Sequence, residues 1–296
     1  MTTTAVKTKY QPILSIKDKR FSVYHLQQYH LAISVGNTSF RVSCIDQMTS
    51  RCLLLETYRL DYSHITERIS AISQLCQEHP FLAAKVWNAV TLCIENQQYT
   101  VIPKPLFQEK DTADYLNLAF SIGSNTVRHF VHPNLDVVVA FAIEPSLLRW
   151  FQTTYGQASF YTIHQASSLI EGVFSYLKAK RLRASPKLFI LAESEHIHIT
   201  VIKKANLLYY NRFSYSNSDE FLQYILIVMH TLDLDPGSSE VILGGNITKN
   251  SLAYRKARKY IRKIVFSDRP PYLKFRCAFK KSIITNYFDI LSVYRC

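Results

Sequence analysis

The residues best suited to hold a phosphate are Ser34-Val35-Gly36-Asn37-Thr38-Ser39, set between two apolar runs. Gly36 and Asn37 suit a tight strand–turn–strand, because both tolerate φ > 0. Small residues in such a turn let backbone N–H groups approach an anion. The acid that would hold a metal beside that phosphate is missing. Other residue types with chemical potential are sparser. Glu193 and Glu195 flank a second turn, where an acid/base pair competes with two solvated carboxylates. His196 and His198 share a strand face but lack a third metal ligand at readable spacing, so two polar-face histidines are expected. No Walker A motif, dinucleotide-binding glycine motif or G-x-S-x-G nucleophile elbow occurs in the chain.

The most one-sided stretch is Lys249–Lys281, with twelve Lys/Arg against one acid, Asp268. Helical spacing over 251–264 puts Arg255, Arg258, Lys259 and Arg262 on one face. Tyr260, Phe266, Tyr272, Phe275 and Phe279 interleave with the charges. Basic residues with aromatics are the footprint of a nucleic-acid surface. A patch for an acidic protein and a solvated helix face have the same composition, and the sequence leaves all three open.

These side chains must be positioned by a chain of 296 residues with net charge +13 and 48% hydrophobic residues, a globular composition. Only 7 residues are glycine, few for an enzyme built on glycine-rich phosphate loops. The best candidate for a membrane span, Phe221–Met229, is about half the roughly 18–20 residues required. The N-terminal stretch lacks the apolar core of a secretory signal, and the cytoplasm is the expected compartment. Six cysteines without a C-x-x-C pair read as buried thiols.

Strands are expected at about 29–35, 39–46 and 51–60, then a helix at 63–79 capped by Ser63. Strands follow at 86–95, 99–102, 126–132 and 137–143, with a short helix near 113–120. Pro145 opens a helix to Tyr155, and a strand at 159–163 leads to a helix at 166–180. Beyond the basic connector 178–187, three strands fill 188–213. A helix follows from Asp219 to Leu232, with Asn217 and Glu220 as its capping box. A strand at 240–243, Gly244-Gly245 and a helix at 251–264 complete the series.

A meander of three strands followed by a helix thus occurs twice, about 157 residues apart. With a hairpin turn opening each copy and Gly244-Gly245 after a late strand, the pattern resembles the actin-like ATPase superfamily. The bacterial cell-division and type IV pilus assembly members are nearest in shape. More narrowly, YHLAISVGNTSFRVSCID is similar to the opening of an uncharacterised bacterial domain-of-unknown-function family with an actin-like fold. The resemblance spans residues 20–296. It implies an α/β, duplicated actin-like ATPase (ribonuclease H-like) fold, with two β-meander-plus-helices halves around a cleft. Residues 1–20 would be a flexible tail, 21–180 the N-terminal half and 181–296 the C-terminal half.

In that superfamily the first turn carries Asp-x-Gly, small residues and a Lys or Arg. The matching positions are Ser34-Val35-Gly36, Asn37-Thr38-Ser39 and Arg41, so glycine and hydroxyls are kept and the carboxylate is Ser34. The second turn, matched by Glu193-Ser194-Glu195, has lost its glycine. Val241–Gly245 matches the adenosine segment. The resemblance therefore implies a relic nucleotide cleft lined by Gly36, Asn37, Thr38, Ser39, Glu193, Ser194, Gly244 and Gly245. Any metal would have to be held through water, Asp46, Glu193 or Glu195. The expectation is a non-catalytic or weakly nucleotide-binding interaction protein, with no catalytic residue, metal ligand or cofactor assigned. ATP with Mg²⁺ would bind weakly, and an unidentified protein is the expected partner. The alternatives are an active ATPase or small-molecule kinase with displaced acids, and a nucleic-acid-binding module using residues 249–281.

Overall fold

Apolar runs without polar interruption, such as Leu31–Val35 and Leu188–Ala192, suit strands covered on both faces. A computed structural model describes residues 10–62, 64–156, 158–182 and 184–296. Its first half contains β1 (Leu14–Lys17), β2 (Tyr29–Val35), β3 (Ser39–Asp46), β4 (Arg51–Arg59), α1 (Arg68–Glu78) and β5 (Ala89–Ile94). There follow β6 (Tyr99–Pro103), α2 (Thr112–Asn117), β7 (Thr126–Val131), β8 (Val137–Ile143), α3 (Pro145–Tyr155), β9 (Ser159–His164) and α4 (Gln165–Ala179). The second half contains β10 (Lys187–Ala192), β11 (His196–Lys203), β12 (Asn206–Ser214), α5 (Ser218–Thr231), β13 (Glu240–Gly245), α6 (Leu252–Tyr260) and β14 (Lys263–Phe266). The short helices α7 (Lys281–Ile284) and α8 (Phe288–Ser292) end the chain.

The duplication is visible in strand order. The first sheet runs β1-β4-β3-β2-β5-β9 and the second β12-β11-β10-β13-β14. Removing β1 leaves one pattern in both: an antiparallel meander whose first strand pairs in parallel with a later strand, which in turn pairs in parallel with one more. A third sheet, β6-β8-β7, is inserted between β5 and β9.

Period-two alternation assigns each face of the sheets to its cover. Leu31, Ile33 and Val35 of β2 join the core shared with α1 and α3, whereas Ala32 faces a core containing Phe279, Ile290 and Leu291. Leu188 and Ile190 of β10 pack under α5 and α6, while Phe189 and Leu191 meet α4 and Phe288. The C-terminal segment therefore packs back onto the first sheet, and α4 packs onto the second.

Several expectations are corrected. The expected tail to residue 20 includes β1, whose Leu14–Lys17 pairs antiparallel with Leu54–Thr57. The helix expected over 251–264 ends at Tyr260, and Lys263–Phe266 forms a parallel edge strand on β13. Neither Gly36 nor Asn37 uses the left-handed region. At position 36 a Cβ would meet Ser39 Oγ and Glu95 Oε2, so those side-chain ends would have to shift. Ser63, the expected helix cap, lies outside the described residues. The cap of α5 is as expected in kind: Asn217 Oδ1 accepts from the N–H groups of Asp219 and Glu220, and Glu220 accepts from Ser216 N–H. Cys44, Cys52, Cys76 and Cys93 are buried, but Cys277 and Cys296 are exposed.

Gly245 combines a conformational with a steric requirement. Its φ is +87°, and a Cβ would overlap the backbone of Ala192 on β10. A left-handed residue with a side chain costs roughly 1–2 kcal/mol, and the collision adds to it. Gly245→Ala is expected to lower unfolding free energy by more than about 2 kcal/mol, read from the urea midpoint at unchanged slope.

Candidate functional site

The turn between β2 and β3 and the turn between β10 and β11 face each other across a cleft of about 830 Å³. Gly36, Asn37, Thr38 and Ser39 line one wall, and Glu193, Ser194 and Glu195 line the other. Gly244 and Gly245 line an adjoining pocket of about 440 Å³, which meets the cleft at Asn246 and Asn286. The three stretches singled out in the sequence are thus neighbours.

What lies beneath the first turn was not legible as a motif. Antiparallel register sets Ser34 opposite Arg41, and parallel register sets Val35 beside Ile94, so Glu95 emerges at the turn. Glu95 N–H donates to Val35 O at 3.0 Å, which fixes this placement. Ser34 Oγ donates to Glu95 Oε1, and Ser39 Oγ donates to Glu95 Oε2 at 3.3 Å. Arg41 Nε donates to Glu95 Oε1 at 3.1 Å. The other side of the guanidinium grips Asp289 of α8 with two bonds, Nη1 to Oδ1 at 3.0 Å and Nη2 to Oδ2.

Arg41 and Asp289 are 8% and 1% exposed, so this cluster is largely shielded from water. Burial opposes the charge on Arg41, but Asp289 and Glu95 outweigh it and raise its pKa further. The network continues into the second half. Gln165 Nε2 donates to Asp289 Oδ2 at 2.7 Å and to Glu193 Oε1 at 3.0 Å. His198 Nε2 lies 3.5 Å from the same Glu193 oxygen, and its Nδ1 is 2.9 Å from Tyr210 Oη. Burial alone would raise the Glu193 pKa. His198, then Arg41 and Arg212, reverse that and hold it below the usual carboxylate range.

Several named residues stand elsewhere. Asp46 is at the far end of β3, where its carboxylate accepts from Met48 N–H and Thr49 N–H in the β3–β4 turn. It cannot serve a metal at the Gly36 turn. Among the described residues, no group of three or more His, Cys, Asp or Glu side chains could hold a metal ion.

Arg255, Arg258, Lys259 and Arg262 are all exposed. Arg262 lies beyond the end of α6, where Arg258 Nη1 donates to its carbonyl, so the four do not form one helix face. The interleaved aromatics mostly point inward. Phe266 packs with the second core, Tyr272, Phe275 and Phe279 pack with the C-terminal core, and Tyr260 is 61% exposed. The stretch therefore lacks a row of stacking platforms for bases. No helix of the described residues is long and apolar enough to cross a membrane.

Two halves with one strand order, closing on a cleft between their first turns, define the actin-like ATPase architecture. A protein from Bacteroides thetaiotaomicron VPI-5482, described as having an actin-like ATPase fold and unknown function, superposes with a TM-score of 0.76 at 20% identity. The match covers 93% of this chain and 99% of that one. The PilM–PilN type IV pilus biogenesis complex matches with a TM-score of 0.61 at 10% identity, covering 90% of this chain and 98% of that one. No curated protein matches the sequence. Residues 18–264 match the family described as "Protein of unknown function (DUF3822)", and the chain belongs to that family.

Proposed function

We propose that the chain is a cytoplasmic, non-catalytic or at most weakly nucleotide-binding protein of the actin-like fold, which acts by binding another protein. The observation that carries this reading is Arg41, whose guanidinium is shared between Glu95 and Asp289 beneath the first turn. Phosphoryl transfer needs a metal bridging the phosphate oxygens and a group that positions the nucleophile. Here the two carboxylates nearest the first turn are already matched by a fixed cation. The opposite turn offers Glu193 and Glu195, which repel a polyphosphate, and no glycine to let one approach. These donors do not fit a magnesium-bound triphosphate. A binding role draws support from the pilus protein, a neighbour in fold that is named in a complex with a second protein.

The test is phosphate release from ATP with excess Mg²⁺. Wild type is expected to stay at the uncatalysed background. The rival reading, an ATPase with displaced acids, requires turnover in wild type and its loss in Glu193→Ala. That pair of results would overturn the proposal.

A further inference from the structure

Helix α5 carries more apolar surface than its packing uses. Phe221, Ile225, Val228 and Met229 face the second sheet and are buried. An amphipathic helix should be polar on the opposite side. On that side Asp219, Gln223, His230 and Thr231 are polar, but a groove of about 480 Å³ also exposes Ile227, with the outer edges of Leu222 and Leu226, which pack into the second core, in its lining and Tyr260 of α6 closing one edge. Ile227 is 48% exposed and Tyr260 61% exposed. The lining positions on α5 run from 219 to 231 at helical spacing, a trough of about 18 Å at 1.5 Å per residue. That length matches about three turns of a second helix.

Asp219 is the acid in the groove's lining, and basic residues of α6 flank it. Lys256 of α6 reaches across to Asp219 of α5 at 2.7 Å, which places the Lys256–Tyr260 stripe against the groove. Arg255 and Lys259 form the next stripe outward and are exposed. From Lys249 to Ser267 the chain contains no acid. Asp219 is matched by Lys256, so the basic row beside the groove has nothing on α6 to neutralise it.

We infer that the α5–α6 groove docks an amphipathic, acidic helix of a partner protein. Apolar side chains at i, i+3, i+4 and i+7 of that helix fill the trough over Leu226 and Ile227. Its carboxylates meet Arg255 and Lys259. A second copy of this chain fits poorly, because a two-fold contact would set the same basic row against itself. This inference rests on the binding role proposed above and names its surface and partner chemistry.

The test is selection from a displayed library of random 16-residue peptides against the full chain. The enriched peptides are expected to be acidic and amphipathic at helical spacing. They should bind wild type at least tenfold more tightly than Ile227→Glu, and more weakly as salt rises. Lys259→Glu should weaken them without changing the thermal midpoint. Enriched peptides with no acidic excess, or equal binding to wild type and Ile227→Glu, would overturn the inference. Two further results would also overturn it: self-association abolished by Ile227→Glu, or binding to phosphatidylglycerol vesicles lost in Ile227→Glu with no peptide enriched. ATP turnover is read separately on the same samples, so failure of the groove is distinguishable from failure of the non-catalytic reading.

Discussion

Arg41→Met is expected to cost about 3–5 kcal/mol of unfolding free energy, the range for removing one partner of a buried ion pair. Methionine keeps much of the side chain's length and apolar stem but leaves Glu95 and Asp289 without their cation. Asp289 is 1% exposed and held at its carbonyl by Ser168 Oγ, so it cannot turn out to water without moving α8. Glu95 keeps Ser34 and Ser39 but loses its charged donor. The loss should appear as a lower urea midpoint. The triple variant Arg41→Met/Glu95→Gln/Asp289→Asn should regain much of it, because no buried charge is then left alone. A loss below about 1 kcal/mol, the value of a solvated surface pair, would show that the cluster is not sealed.

Acidification from pH 7.5 to 5 should destabilise the fold by roughly 4 kcal/mol, from two buried histidines at about 1.4 kcal/mol per pH unit each. Burial lowers the pKa of His30 to about 4 and that of His164 to about 3. Both are therefore neutral in the fold, while the unfolded chain takes up protons near pH 6.5. Stability from this source is complete above that value and falls as pH drops toward the folded pKa values. His164 explains the geometry. Its Nδ1 accepts from Ala166 N–H at the start of α4, and its Nε2 is 3.1 Å from Asn96 O. A second proton would break the cap. His30 has Thr91 Oγ1 at 2.8 Å, and burial lowers its pKa. Glu193, held below the ordinary carboxylate range, loses its contribution only at still lower pH. Urea midpoints across this range should fall steadily, and His164→Asn, which keeps a capping oxygen, should have about half the slope. A flat profile would contradict the assignment.

Much of the architecture was legible because it is written in short-range patterns. Two meanders, their following helices and the turns at Gly36 and Glu193 follow from apolar alternation and turn residues. Ser34 in place of an acid could be read directly. The network beneath it could not. Glu95 looks like the end of an ordinary strand until parallel pairing with β2 brings it under the turn. Asp289 lies 248 residues from Arg41 in the chain, inside a five-residue helix without a motif. β14 reads as helix in the sequence because Ile261 and Ile264 continue the spacing of Leu252 and Ala257. Only its pairing with β13 distinguishes it. β1 is four residues at a sheet edge, too short to give a period.

The non-catalytic reading rests on Arg41, a fixed guanidinium that matches the two carboxylates nearest the first turn, Glu95 and Asp289, and leaves neither free for a metal-bound phosphate. Calorimetric titration of ATP with excess Mg²⁺ into the wild-type chain tests it most directly. No saturable binding in the micromolar range is expected. A micromolar dissociation constant accompanied by steady phosphate release would contradict it.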